Sequence, residues 1–116
     1  PTSCISLRRN FIINFLKNIN KNDYPHLEID ARLTIFSKFY MNEYNVINNN
    51  LTYYNYDPKG ITANIKKFSK TWWIRRSEAF YYLRTIMKKK QQCFIFSFDH
   101  YLTNFLIYLF KRIPKL

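Results

Sequence analysis

The sequence predicts an α+β fold for this chain of 116 residues, and three observations predict it. Apolar residues recur at helical spacing in several stretches, while shorter runs alternate or are rich in aromatic and β-branched residues. The turn signal Asp57-Pro58-Lys59-Gly60 divides the chain into halves of unlike charge. The expected architecture is two small lobes. Residues 1–58 would form a helix-strand-helix-hairpin lobe, and residues 59–116 a basic strand-helix-strand lobe ending in an apolar helix.

Ile12, Phe15, Leu16 and Ile19 give a first amphipathic helix over about residues 6–20. Asn20 to Pro25 is a turn, since Pro25 and its neighbours cannot continue a helix. His26-Leu27-Glu28-Ile29 alternates and reads as a brief strand. Asp30 is a plausible N-cap for a second helix, with Leu33, Phe36, Phe39 and Tyr40 as its apolar stripe and an end near Asn42–Asn45. Val46-Ile47, the turn Asn48-Asn49-Asn50 and the run Leu51–Tyr56 read as a hairpin.

In the second half, Ile61, Ala63 and Ile65 alternate with Thr62, Asn64 and Lys66, a further strand. Trp72-Trp73-Ile74 reads as another. Phe80, Leu83 and Met87 mark a helix from Glu78 to Met87, with Lys88-Lys89-Lys90 at its negative end. Cys93–Phe98 is a strongly β run, and Tyr101–Ile113 a final helix, apolar almost all round.

Charge bounds the function. The whole chain carries +12; from Lys59 onward nine Lys and four Arg face two acids, a net +11, whereas residues 1–58 carry +1. The cations interleave with rings over Ile65-Lys66-Lys67-Phe68-Ser69-Lys70-Thr71-Trp72-Trp73-Ile74-Arg75-Arg76. Lys and Arg release counterions on meeting phosphate, and rings stack on unpaired bases, so this segment points to RNA. The plainer alternative makes the rings core and the cations a solvated face. With a single glycine, a phosphate-cradling loop is nearly excluded. Scattered acids and the absence of a nucleophile motif beside Asp99-His100 argue against an enzyme. Cys4 and Cys93 stand far apart without a CxxC, so neither a metal nor any other cofactor is expected. No secretory pattern opens the sequence, and its longest apolar run, Phe105–Phe110, is too short to span a bilayer. Richness in Asn, Lys, Ile, Tyr and Phe fits AT-rich organellar coding.

Several stretches, in order, resemble the small-subunit ribosomal protein eight family of bacterial and organellar type. They are Phe15–Asn20, Leu27-Glu28-Ile29 with Lys38–Ile47, Leu51–Tyr54, Ile61–Lys70 and Ile95-Phe96-Ser97. The sequence departs from that pattern at Thr71-Trp72, where the family has Pro-Gly, and within Ser97–Tyr101, where only the first Ser is kept. The family's final strand is also missing. Such drift fits a mitochondrial ribosome. The resemblance implies a two-lobed α+β protein bound to small-subunit rRNA among neighbouring ribosomal proteins. It places Ser97 in an RNA-contacting loop with Ser69 and Lys70 beside it, puts His100 at a loop position, and turns Lys17 and Asn18 toward RNA. Added to these are Lys66, Lys67, Trp72, Arg75 and Arg76 from the basic-aromatic segment. A second expectation, of another class, is an accessory subunit of a respiratory membrane complex, with the basic half near anionic lipid.

Overall fold

The computed structural model describes residues 5–20, 22–42, 45 and 65–112. Four helices occur in them: α1 (Arg9–Asn18), α2 (Ile29–Phe36), α3 (Lys70–Lys89) and α4 (Phe98–Arg112). Among the described residues there is no strand, which overturns the α+β expectation there.

α1 lies inside the expected 6–20, and of its expected stripe Phe15 is buried and Ile19, just past the helix end, packs on the core. Phe11 and Phe15, four residues apart and therefore on one face, are buried, while Ile12 and Leu16 are exposed. α2 begins where a strand is expected. Its N-cap is Glu28, and Asp30 sits in the first turn, where its carboxylate accepts the Ala31 N–H at 2.8 Å. Arg32 explains why Leu27-Glu28 does not enter a ladder. This buried guanidinium donates from Nε to the Leu27 carbonyl at 3.0 Å and from Nη2 to the Tyr24 carbonyl. The Leu27 carbonyl that a strand would offer sideways is held, with the turn carbonyl of Tyr24, by one side chain instead. α2 runs on into a single wider turn, Ser37–Met41, and stops at Asn42, whose φ of 54° is the left-handed conformation that ends helices.

α3 takes in Trp72-Trp73-Ile74, expected as a strand, together with the expected helix over 78–87. Its 20 residues make a rod of about 30 Å. The Cys93–Phe98 run forms no regular element up to Ser97 and pairs with no strand among the described residues, and Phe98 already belongs to α4. The hairpin expected over 46–56 and the strand expected over 61–64 lie outside the described residues; Ile65 and Lys66 are irregular.

α3 is the spine, packing on α2, on the wider turn and on α4. One buried cluster joins Phe11, Phe15, Leu27, Leu33 and Phe36 to Tyr82 and Ile86, so it draws on both sides of the expected boundary at residue 58. Fully buried Phe36 is its centre. Its ring meets Phe11 and Phe15 edge-on at 5.6 and 5.4 Å and stacks on Tyr40 at 4.6 Å. These are the offset and edge geometries that aromatic quadrupoles favour.

Candidate nucleic-acid interface

The basic-aromatic segment folds into a tight turn followed by the first turns of α3. The Ser69 N–H closes the turn on the Lys66 carbonyl at 3.2 Å. Phe68 takes a left-handed φ of 64°, a conformation that costs a bulky residue energy. Ser69 is the N-cap of α3, its hydroxyl accepting the Trp72 N–H at 3.3 Å. Lys66, Lys67 and Lys70 are exposed around that helix start, and among the described residues none has an ion-pair partner. The helix N-terminus adds its own partial positive charge. Phe68 is 69% exposed. Its ring lies 5.3 Å from that of half-buried Trp72, and Trp72 meets buried Trp73 edge-on at 4.6 Å. Three free ammonium groups therefore surround a supported aromatic step.

The two arginines of the segment are spent within the protein. Arg75 pairs with Glu28 at the start of α2. Arg76 pairs with Asp99 of α4 at 2.6 Å, with its guanidinium 5.3 Å from the Trp72 ring and 5.7 Å from that of Phe80. They tie α3 to its neighbours on either side.

Lys17 and Asn18 are carried to the far end of α3, about 30 Å of helix away. Asn18 ends α1: its amide donates to the Asn14 carbonyl at 2.9 Å, and its own carbonyl accepts from Lys89 Nζ at 3.0 Å. Lys89 thus brings a cation to the negative end of α1. Lys17 stays exposed on the rim of a cleft of about 320 Å³ shared with Asn20, Tyr24, Thr85 and Lys89. Tyr24 and Thr85 join their hydroxyls there at 2.8 Å. Tyr82 lies against the cleft, and burial raises its phenol to about 12, with Arg32 opposing the rise.

Ser97 is exposed where the irregular run meets α4. Its Oγ accepts the His100 N–H at 3.3 Å, capping α4. His100 is buried among Phe80, Phe94 and Phe96, with ring centroids 5.1 to 5.5 Å away. Its Nε2 meets the Asn104 amide at 3.1 Å, while its Nδ1 is buried with no partner. Burial, and secondly the Arg84 charge, push its pKa below the ordinary value.

The expected site residues therefore separate. Lys66, Lys67, Lys70 and Trp72 come together at one end of α3, and Lys17 stands at the other. Asn18, Ser69, Arg75, Arg76, Ser97 and His100 hold the structure together. Phe68, not singled out within the segment, is the most exposed of its rings; its signal was a large apolar ring flanked by lysines just before a Ser cap.

Comparison of the chain with protein-family models, with curated proteins and with solved structures finds no match.

Proposed function

We propose that this chain is an RNA-binding structural protein whose phosphate-contacting surface is the N-terminal end of α3. The observation that carries the proposal is the cluster of Lys66, Lys67 and Lys70, exposed and, among the described residues, without an ion-pair partner, beside the exposed Phe68 and half-buried Trp72. Ammonium groups neutralise phosphate, and the rings offer one or two unstacked bases a face. A catalytic role has little to draw on. Asp99 faces Arg76, and His100 sits in a cage of rings, so the Asp99-His100 pair presents no shared acid-base surface.

Placement among the proteins of a mitochondrial small ribosomal subunit rests on composition and on the order of the resembling stretches. Two of those stretches, at Leu27–Ile29 and Ile95–Ser97, lack the strands that family would supply, so the RNA-binding proposal stands on the lysines and not on the resemblance. For the respiratory-complex reading, no helix among the described residues is long and apolar enough to cross a membrane.

The test is a salt titration of the full chain with a fluorescently labelled, folded small-subunit rRNA fragment. Affinity should fall steeply with salt. Replacing Lys66, Lys67 and Lys70 together by Gln should weaken binding tenfold or more at low salt and reduce the slope of log K against log salt by about 2. Unchanged binding by the triple variant, or binding indifferent to salt, would refute the proposal.

A further inference from the structure

α4 is apolar on the side it turns to α3, where Ile107 and Phe110 are half-buried, and equally apolar on the side it turns away. The side it turns to α3 carries His100 and Thr103, both buried, whereas the opposite side leaves Phe98 80%, Tyr101 62%, Phe105 58% and Tyr108 48% exposed. Phe98, Tyr101, Phe105, Tyr108 and Arg112 follow one another at spacings of three, four, three and four. That is the repeat by which one helix seats its side chains against another. With Ile95, Phe96 and Leu102, also exposed, the uncovered area is roughly 800 Å² at ~200 Å² per large side chain. It matches what each partner of an ordinary stable complex contributes, and it exceeds the apolar patches that monomers normally tolerate.

Charge identifies the occupant. Arg84 lies at the N-terminal end of the stripe, its guanidinium 5.7 Å from the Phe96 ring, and Lys111 and Arg112 close the other end, Arg112 4.8 Å from the Tyr108 ring. The one acid of α4, Asp99, is engaged by Arg76. The ends of the stripe are thus positive, about 20 Å apart along the helix. A second copy of this chain would bring another +12 against them. We infer that the outer face of α4 docks an amphipathic helix of a partner protein, apolar along its seam and carrying carboxylates toward both ends. This surface shares no side chain with the lysine cluster that starts α3.

The test uses the full chain and two labelled helical peptides of about 18 residues, long enough to cover the stripe. Both carry Leu at three-four spacing; one has Glu at each end and the other Lys. The Glu peptide should bind at least tenfold more tightly than the Lys peptide. Phe105→Ser, and separately Tyr101→Ser, should weaken it tenfold or more while the helical circular dichroism stays unchanged, since both side chains point to solvent. The triple Gln variant of Lys66, Lys67 and Lys70 should lose RNA affinity and keep peptide affinity, so this inference and the RNA-binding proposal fail separately. Equal binding of the two peptides overturns the inference. So does a reversible dimer in sedimentation that Phe105→Ser dissolves, which makes the occupant a second copy. Binding to phosphatidylserine vesicles without peptide binding overturns it as well, in favour of lipid.

Discussion

Arg75 and Arg76 are neighbours on α3, yet Arg75 reaches Glu28 on one side and Arg76 reaches Asp99 on the other. Lys66, Lys67 and Lys70, a turn or two earlier, reach no acid among the described residues. Charge available to a polyanion is therefore decided residue by residue, by which cations the fold has already paired. His100 shows a related choice made by burial. Its folded pKa is lowered, by burial first and Arg84 second, so the imidazole stays neutral inside its ring cage. An unfolded chain would take up a proton near the ordinary value of ~6.5. Below that pH the unfolded state binds the proton that the folded state resists, and stability falls as pH falls until the folded pKa is reached. Urea midpoints for the parent chain should drop between pH 7.5 and 5.5, and His100→Phe should flatten that part of the drop. An undiminished drop in the variant would remove His100 as its cause.

At the level of elements, α1 and α4 were legible in the sequence because their apolar residues repeat over three or four turns, although in α1 only Phe15 and Ile19 of the expected stripe face the core and Phe11 takes the place given to Ile12 and Leu16. The β-rich runs were misread for a physical reason. Aromatic and β-branched side chains fit a pleated sheet only when a neighbouring strand supplies the ladder. Trp72-Trp73-Ile74 instead continues a helix whose start is fixed by Ser69, and Phe94 and Phe96 pack on His100 and on each other instead of on a neighbouring strand. The lysine cluster was legible from charge alone, but the internal use of Ser69, Arg75 and Arg76 required the fold. Ser69 can be tested as a cap. Ser69→Ala should cost about 1 kcal/mol in urea denaturation, and Ser69→Asp, whose carboxylate caps equally well, should recover most of it. If Asp proves as damaging as Ala, the hydroxyl matters for something other than the helix start.

For the whole molecule, Phe36 is the residue on which both halves meet, since the cluster around it runs from Phe11 and Phe15 to Tyr82 and Ile86. Phe36→Ala should destabilise the protein by about 3–5 kcal/mol through lost contacts and the cavity left behind. Because α3 belongs to the same cluster, fluorescence of Trp72 and Trp73 should report the loss at the same denaturant concentration as circular dichroism. Two separated transitions, with tryptophan fluorescence unmoved by the substitution, would mean that residues 1–58 and 59–116 unfold independently. The uncovered rings of α4 also have a consequence in time. The charge of +12 keeps copies of the chain apart by mutual repulsion. If RNA neutralises part of that charge while the aromatic rings of α4 are still uncovered, repulsion is lost just when stickiness remains. If both proposals hold, the interval between meeting RNA and meeting the partner helix is the period of greatest aggregation risk, and rapid docking on α4 would shorten it.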